Sequence, residues 1–279
     1  SAPSPLDLAS SLRAIREERV DVLMGTPTFL KGYLRKAKAG DLASVKYVVA
    51  GAERTPPPFR EKWEKEVGCK YLEGYGLTEA SPVLSFNVPG DGSRENSVGR
   101  LLPGVESKIV HPETKDDLPS GETGILCFRG SNVFLGYLNQ PGETSEVLMD
   151  DGWLVTGDLG RIDGDGFLFI EGRLSRFSKI GGEMVPHGTV EDAVAKALGL
   201  SDEEDPVCVV AGIEDEAKGE RLILLTSVDC DAEKLRKDLA ATGLSNLWIP
   251  REVRKVEEIP LLPTGKLDLR EIKKLSQRS

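Results

Sequence analysis

KYVVAGAERTPPPFREKWEKEVGCKYLEGYG, residues 46–76, carries the clearest signals of fold class in the chain. Its first letters, KYVVAGAE, predict a buried strand followed by a loop. TPPPFREKWEKEVG predicts a helix that is capped by Thr55 and ends at Gly68, because threonine is a favoured N-cap and glycine a favoured C-terminal residue. CKYLEGYG predicts the next strand. A strand, a helix and a strand in this order favour a parallel sheet with a right-handed crossover.

The same alternation extends towards the N-terminus. Residues 5–17 carry apolar side chains at helical spacing, and VDVLMG is typical of a buried strand. TPTFLKGYLRKA predicts a helix that is capped by Thr26 and has Pro27 in its first turn. Residues 20–75 therefore predict an α/β region with a parallel sheet.

Towards the C-terminus the pattern changes twice. Residues 97–172 are rich in glycine, proline and short β-type runs, and Asp-Gly-Asp-Gly at 163–166 predicts a hairpin. From residue 175 helices and strands alternate over about 100 residues, the size of an autonomous domain. We predict a fold of class α/β and α+β with two domains. The first spans residues 1–174, with an α/β part (1–90) and a small β-barrel or sandwich (91–174), and an α+β domain spans 175–279.

The composition excludes some classes of partner. The 279 residues carry a formal net charge of -10, and the sequence pI is near 5.0. This argues against duplex nucleic acid, because phosphate binding needs basic faces, but a local basic patch for an acidic carrier protein stays open. No apolar run approaches the roughly 20 residues that cross a bilayer, and no signal peptide precedes the first predicted helix. We therefore expect a cytoplasmic location and no membrane span in this segment.

The cysteines and histidines give no sign of a metal site. No Cys-x-x-Cys pair occurs, so we expect reduced, buried thiols rather than disulfides or zinc. His111 and His187 are isolated, and we expect structural roles for both. The four cysteines, which lie far apart, are Cys69, Cys127, Cys208 and Cys230.

EGYGLTEASP, residues 73–82, is the first candidate site. A Gly-aromatic-Gly loop after a parallel strand would lie at the carboxyl edge of the sheet, where α/β proteins bind ligands. The glycines let the backbone approach a flat ring or a phosphate closely. Thr78 offers a hydroxyl to phosphate oxygens, and Glu79 offers a hard oxygen ligand for Mg²⁺. A tight turn followed by a helix cap explains the same residues.

WLVTGDLGRIDGDGFLFIEGR, residues 153–173, is the second candidate. Asp158 follows Thr-Gly at a predicted strand junction, where a carboxylate can accept hydrogen bonds from the two hydroxyls of a ribose. Arg173 ends the following strand and can reach ribose or phosphate oxygens. Turn chemistry explains the glycines and aspartates equally well, but the two motifs together predict a nucleotide site. No Gly-rich phosphate loop ending in lysine occurs, so the site is either incomplete or unlike that of a P-loop enzyme.

Five motifs in order resemble the adenylate-forming superfamily, which includes acyl-CoA synthetases, luciferases and the adenylation domains of peptide synthetases. They are YGLTE (75–79), GETGILCFRGSNVFLGY (121–137), TGD (156–158), GRLSRFSKIGGEMV (172–185) and PTGKLD (263–268). Within the superfamily, LEGYGLTEASPVLSFNVP, KYVVAGAE and GRLSRFSKIGGEMVP are most similar to the acyl-acyl carrier protein synthetase part of bifunctional 2-acylglycerophosphoethanolamine acyltransferases.

The resemblance implies a two-step reaction that uses ATP and Mg²⁺. A fatty acid carboxylate attacks the α-phosphate of ATP to give acyl-AMP and pyrophosphate, and the thiol of acyl carrier protein then takes the acyl group. The first domain is then the C-terminal part of a large AMP-binding domain, and the second is a small mobile domain. A fatty acyl-CoA ligase and a nucleotide-binding module without catalysis are the alternatives.

The resemblance also implies roles for individual residues. It puts Thr78 on phosphate, Glu79 on Mg²⁺, and Asp158 on the ribose hydroxyls. It puts Arg173 on ribose or phosphate. The residues implied around the adenine and the acyl pocket are Gly51, Ala52, Glu53, Gly74, Tyr75 and Gly76.

The small domain is implied to swing about a hinge at Arg176. In one pose Lys266 contacts the substrate carboxylate and the α-phosphate, where an ammonium group stabilises the charge of the transition state. In the other pose Lys179, Gly181 and Gly182 line the approach of the thiol. Without the other motifs, Lys266 has the pattern of a solvated surface lysine.

Three features depart from the superfamily pattern. Arg176 stands where most relatives have an acidic residue or sometimes a lysine. MGTPTF (24–29) has no aspartate of the kind that holds an ammonium in amino-acid-activating relatives, which favours a plain carboxylic acid. The phosphate loop of the superfamily is absent, so we expect a fragment with little adenylation activity of its own. Its partner is then the remaining N-terminal part of the same enzyme, and the parent protein is expected at the cytoplasmic face of the inner membrane.

Overall fold

Five ranges of the chain are described by the computed structural model: 7–90, 93–200, 206–215, 217–262 and 266–277. The chain divides into two units, Ser1–Glu171 and Gly172–Ser279, whereas the sequence predicted the division after residue 174.

The first part of the first unit alternates helices and strands. The elements are α1 (Leu8–Glu17), β1 (Val22–Gly25), α2 (Pro27–Lys36), β2 (Tyr47–Ala50), α3 (Pro57–Val67) and β3 (Lys70–Gly76). Strands β1, β2 and β3 pair in parallel, with Val22 opposite Tyr47 and Tyr47 opposite Lys70. The helices bury a common core, in which the Trp63 side chain is fully enclosed. The predicted alternation and the predicted parallel sheet are both confirmed.

Two of the three predicted helix ends are confirmed. The Thr26 hydroxyl caps α2 by accepting a hydrogen bond from the Phe29 N–H at 3.4 Å, and Gly68 ends α3 in the left-handed conformation with φ of 76°. The predicted cap at Thr55 is wrong: Pro56 precedes α3, and no side chain caps the helix. The run of prolines sets the backbone of the first turn and removes N–H groups that a cap would satisfy. The Thr55 hydroxyl is instead buried, 3.3 Å from the Tyr71 hydroxyl.

Two short strands extend this sheet beyond β3. They are β4 (Val83–Phe86) and β5 (Arg100–Leu101), and the order across the sheet is β1-β2-β3-β4-β5. Strand β4 runs antiparallel to β3 and to β5. The sheet therefore changes from parallel to antiparallel at β3, the strand that carries the Gly-Tyr-Gly motif.

The second sheet of the first unit contains β6 (Glu106–Val110), β7 (Gly124–Arg129), β8 (Leu154–Ile162) and β9 (Leu168–Arg173), in that order, with helix α4 (Pro141–Val147) before β8. The predicted hairpin is confirmed, because the Gly166 N–H donates to the Asp163 carbonyl at 3.0 Å. The expected barrel is not closed by any strand pairing among residues 93–200. The Leu168 backbone instead bonds with Val98 and Gly99, next to β5, at 3.0 and 2.9 Å.

The second unit is an α+β arrangement. Its elements are β10 (Phe177–Ile180), β11 (Glu183–Pro186), α5 (His187–Leu198), β12 (Cys208–Asp215), β13 (Gly219–Thr226), α6 (Ala232–Ala241), β14 (Glu252–Lys255) and α7 (Leu269–Gln277). The strand order is β11-β10-β13-β12, and β14 pairs with β13. Helix α7 begins after Asp268, whose Oδ1 accepts hydrogen bonds from the Arg270 and Glu271 N–H groups, both at 3.1 Å. Asp268 therefore caps the N-terminus of α7.

All four cysteines are free thiols, and three of them are buried. Burial raises the pKa of Cys69 and Cys127 to about 11 and that of Cys208 to about 12, so these thiols are protonated at neutral pH. Within the described residues, no helix has both the length and the apolar character needed to cross a membrane.

Candidate active site

A hydrogen bond joins the two candidate motifs of the first unit. The Tyr75 hydroxyl, on β3, donates to Oδ2 of Asp158, on β8, at 2.5 Å. Asp158 is only 4% exposed, and the Tyr75 ring lies 6.0 Å from the ring of Phe128. The Gly-Tyr-Gly and Thr-Gly-Asp motifs therefore adjoin each other in the first unit.

A local irregularity in β8 orients Asp158. The residue lies inside the strand, not at a strand junction as the sequence predicted. Gly157 adopts a φ of 71°, and the register between β7 and β8 shifts nearby. The Thr156 hydroxyl donates to the Leu126 carbonyl at 2.9 Å and accepts from the Asp158 N–H at 3.0 Å. Such irregularities redirect a side chain, and this one places the carboxylate beside Tyr75.

Gly74, Tyr75 and Gly76 lie within β3, as the strand predicted for CKYLEGYG requires, and not in a loop after that strand. The neighbouring strand β4 explains the difference. A Cβ atom on Gly74 would lie 2.8 Å from the Phe86 ring, and one on Gly76 would lie 1.9 Å from the Pro82 carbonyl oxygen. The glycines permit this close pairing of strands, which holds Tyr75 between them.

Residues 51–53 follow β2 at the carboxyl end of the strand. A Cβ atom on Gly51 would lie 3.4 Å from the Gly74 carbonyl oxygen, so this turn adjoins β3. Ala52 has a left-handed backbone conformation with φ of 68°. The Glu53 side chain contacts the first turn of helix α2. Its Oε2 accepts from the Thr28 hydroxyl at 2.7 Å and from the Thr28 N–H at 3.2 Å. A carboxylate is favourable at a helix N-terminus, and Thr28 is a partner that the sequence analysis missed.

Thr78 and Glu79 lie on a short 3-10 helix, Thr78–Ala80, directly after β3. The Thr78 side chain is exposed, and Glu79 is partly buried. The Tyr137 hydroxyl donates to Oε1 of Glu79 at 2.6 Å. Tyr137 ends the motif at 121–137, but no role for it was predicted from the sequence.

The surroundings of Glu79 fit one mode of Mg²⁺ binding. Mg²⁺ is commonly held by one or two carboxylates together with substrate phosphates rather than by a protein cage. Among the described residues, no group of three or more His, Cys, Asp and Glu side chains is arranged to hold a metal. Tyr137 contacts one of the two carboxylate oxygens of Glu79. The second oxygen fits a metal ion that a substrate phosphate also binds.

Lys266 lies on the surface of the second unit. Its carbonyl accepts a hydrogen bond from the Leu262 N–H at 2.7 Å, and Leu261 pairs with Leu267 across the turn. The Lys266 side chain is exposed. The preceding residues of the motif, 263–265, lie outside the described residues.

Arg173, which was predicted on ribose or phosphate, is exposed and is the last residue of β9, a strand that begins in the first unit and ends in the second. The three residues predicted in the thiol channel also belong to the second unit. Lys179 lies on β10 with its side chain exposed, and its N–H donates to Glu220 Oε2 at 2.6 Å. Gly181 and Gly182 form the turn between β10 and β11 with φ of 59° and 90°, a conformation that favours glycine. Their predicted roles stay predictions.

Arg176, the predicted hinge residue, is anchored within its own unit. Its guanidinium donates to both carboxylate oxygens of Glu191, on α5, at 2.6 Å, and to the Val210 carbonyl, on β12, at 3.0 Å. Glu191 Oε1 also accepts from the Val210 N–H at 2.6 Å. The ion pair therefore forms hydrogen bonds with both the N–H and the carbonyl of Val210 on β12, a strand at one edge of its sheet.

Each histidine has a local partner. The His111 ring Nδ1 accepts from the N–H groups of Glu113 and Thr114, both at 3.2 Å. His187 is buried, with its Nε2 2.9 Å from the Ser178 hydroxyl. Burial, together with the positive charge of Arg176, lowers the pKa of His187 to about 3, so the imidazole is neutral at neutral pH.

Known proteins resemble this chain in sequence. Residues 1–138 match the family described as AMP-binding enzyme. The long-chain-fatty-acid–CoA ligase of Bacillus subtilis (strain 168) is 32% identical over 94% of this chain and 46% of its own length. The 4-coumarate–CoA ligase 1 of Arabidopsis thaliana is 34% identical over 81% of this chain and 41% of its own length. The chain thus spans about half the length of these curated relatives.

Solved structures resemble it in fold as well. The ATP-bound crystal structure of MatB from Rhodopseudomonas palustris matches with a TM-score of 0.80 and 27% identity, over 97% of this chain and 53% of that one. The family match, the relatives and this likeness agree with the order of the five sequence motifs. The chain belongs to the adenylate-forming superfamily of AMP-binding enzymes.

Proposed function

We propose that the parent protein, of which this chain is a part, activates a fatty acid with ATP and transfers the acyl group from AMP to a thiol. The observation that supports this proposal most strongly is the hydrogen bond between Tyr75 and Asp158. It brings an aromatic ring and a carboxylate to one site, which suits an adenosine: the ring lies beside the base, and the carboxylate accepts hydrogen bonds from the ribose hydroxyls.

The remaining residues are assigned by their chemistry. The space for adenine and the acyl group is lined by the backbone of Gly51, Ala52 and Gly74. The Glu53 carboxylate accepts a hydrogen bond from the Thr28 hydroxyl. The exposed Thr78 hydroxyl donates to phosphate. Mg²⁺ on Glu79 would neutralise part of the charge of the polyphosphate. Arg173 and Lys266 supply positive charge to ribose and phosphate oxygens, and Lys266 acts in the adenylation step.

The proposed substrate is a plain fatty acid. The Bacillus subtilis relative is named a ligase of long-chain fatty acids. MGTPTF at 24–29 has no aspartate to neutralise an ammonium group, and Met24 in this segment is an exposed apolar side chain. An unpaired ammonium group is costly to desolvate, so an amino acid substrate is disfavoured.

Acyl carrier protein is the proposed thiol acceptor, on the strength of the resemblance of GRLSRFSKIGGEMVP to acyl carrier protein synthetases. CoA is the second candidate, because both curated relatives described above are named CoA ligases.

The parent protein, given ATP and a fatty acid, should acylate carrier protein faster than CoA. Faster acylation of CoA would reassign the acceptor and leave the adenylation proposal intact, since pyrophosphate release precedes the transfer.

The phosphate loop and the rest of the acyl pocket are proposed to lie in the remaining N-terminal part of the enzyme, at a cytoplasmic location. The chain of residues 1–279 alone should then release little or no pyrophosphate from ATP and fatty acid. Robust release by this chain alone would show that the phosphate-binding groups are already present in it.

Asp158→Asn in the parent protein is expected to raise the KM for ATP by about 10- to 100-fold, because hydrogen bonds to a charged group contribute about 1.5–3 kcal/mol. The KM for the fatty acid should change much less. Fatty-acid-dependent exchange of pyrophosphate into ATP measures both constants.

Asp229→Asn is the matched control, since the Asp229 side chain is 88% exposed and pairs with Lys255 on the surface of the second unit. It should leave both constants unchanged. An Asp158→Asn variant with a normal KM for ATP would remove the ribose assignment, and exchange that does not depend on a fatty acid would remove the substrate assignment.

A further inference from the structure

We infer that Tyr137 is a positioning residue for Glu79: it orients the carboxylate that the proposed function assigns to Mg²⁺. The inference rests on that proposed function. It assigns a role to a tyrosine that lies on a different segment of the first unit, 58 positions from Glu79 in the sequence.

The segment that carries Tyr137 holds Glu79 at two points. The Tyr137 hydroxyl donates to Glu79 Oε1 at 2.6 Å, and the Phe134 N–H donates to the Glu79 carbonyl at 2.8 Å. The side chain and the backbone of Glu79 are therefore fixed by residues only three positions apart in this segment. A residue held in this way has little freedom to choose another rotamer.

Asn132, on the same segment, holds the turn that follows Glu79. Its Nδ2 donates to the Ala80 carbonyl at 2.9 Å and to the Val83 carbonyl at 3.0 Å. These bonds connect the start of β4 to the short 3-10 helix. The turn around Glu79 is thus supported from one side by the segment of residues 132–137.

Tyr137 is itself well fixed. Its N–H donates to the Thr144 hydroxyl oxygen at 2.9 Å, and that hydroxyl donates to the Gln140 carbonyl at 2.8 Å. The Phe134 and Tyr137 rings meet edge to face with their centroids 4.9 Å apart. Gly136 has a φ of 135°, and a Cβ atom there would lie 2.7 Å from Thr144 Cγ2, so only glycine fits beside this threonine.

The chemistry of such an arrangement is known from other metal sites. A donor on one carboxylate oxygen fixes the plane of the group and directs the other oxygen towards a metal. Loss of such a supporting hydrogen bond weakens metal binding by about 10- to 100-fold. Tyr137 does not touch the reacting atoms in this proposal, and its effect passes through Glu79.

The test is metal binding by the parent protein with a non-hydrolysable ATP analogue present. Mn²⁺, used as a paramagnetic probe in place of Mg²⁺, is titrated and its free fraction is read by electron paramagnetic resonance. Tyr137→Phe should weaken Mn²⁺ binding by about 10- to 100-fold, because the ring is kept and only the hydroxyl is lost. Tyr33→Phe, a tyrosine in the separate core around α2, should leave binding unchanged.

Two further readouts separate positioning from a general loss of structure. Saturating Mg²⁺ should restore most of the rate of pyrophosphate release in Tyr137→Phe, which a misfolded site would not allow. Thr144→Val, which removes the acceptor for the Tyr137 N–H, should weaken Mn²⁺ binding in the same direction but less. Normal Mn²⁺ binding in both variants would overturn the inference.

Glu79→Gln distinguishes this inference from the proposed function. If Glu79→Gln weakens Mn²⁺ binding and Tyr137→Phe does not, the positioning role is wrong and the metal assignment stands. If Glu79→Gln binds Mn²⁺ normally, the assignment of the metal to Glu79 is wrong. The inference that Tyr137 positions Glu79 for the metal is then wrong as well.

Discussion

Lys266→Ala in the parent protein is expected to slow acyl-adenylate formation by about 100- to 1,000-fold, the usual cost of losing one group that stabilises a developing oxyanion. Negative charge grows on the phosphate oxygens as the carboxylate attacks, and both reactants are already anionic. Single-turnover formation of acyl-AMP measures the step directly. The exposed position of Lys266 means that the substitution leaves no cavity, so the folded protein should remain as stable as before.

The second half of the reaction supplies the control for this prediction. When synthetic acyl-AMP is given, Lys266→Ala should transfer the acyl group to the thiol at a nearly normal rate. Lys273→Ala, an exposed lysine on α7 of the same unit, should leave both steps unchanged. Adenylation at an undiminished rate in Lys266→Ala would end the catalytic interpretation and favour a module that binds nucleotide without catalysis.

Glu191→Ala is expected to destabilise the second unit by about 1.5–3 kcal/mol, because it removes hydrogen bonds to a charged group in a partly buried site. The side chains of Arg176 and Glu191 are only 16% and 18% exposed, and Nη2 of Arg176 donates to both carboxylate oxygens of Glu191. The substitution also removes the acceptor for the Val210 N–H on β12. Protection of the β12 amides against hydrogen exchange should fall accordingly.

A more exposed pair in the same unit is the matched control. Glu252 is 35% exposed and pairs with Arg221 and Arg254, which are 32% and 26% exposed, so Glu252→Ala should cost about 1 kcal/mol or less. The double variant Arg176→Ala/Glu191→Ala should be less destabilised than the sum of its single variants, with a coupling of about 1 kcal/mol or more. The effects of the two single variants on the free energy of unfolding could instead be additive, or Glu191→Ala could destabilise the unit no more than the control does. Either result would contradict a stabilising pair between Arg176 and Glu191.

Some of this fold could be predicted from the sequence because its signals are local. The strands and helices of residues 20–75, the Thr26 cap and the end of α3 at Gly68 depend on spacing and on backbone preferences of single residues. The Thr55 cap failed because the adjacent prolines already determine the first turn. The Gly-Tyr-Gly segment was predicted both as the end of a strand and as a loop after it, because a local pattern does not show its pairing with β4.

The candidate site divides in the same way. The motifs and their order already gave the chemical groups of the candidate site, namely Tyr75, Glu79, Asp158 and Lys266, and the superfamily. Three contacts became visible only in the folded protein: Tyr75 with Asp158, Tyr137 with Glu79, and Arg176 with Glu191. A hydrogen bond or ion pair between residues far apart in the sequence depends on how strands and helices pack, and a local sequence pattern does not contain that information.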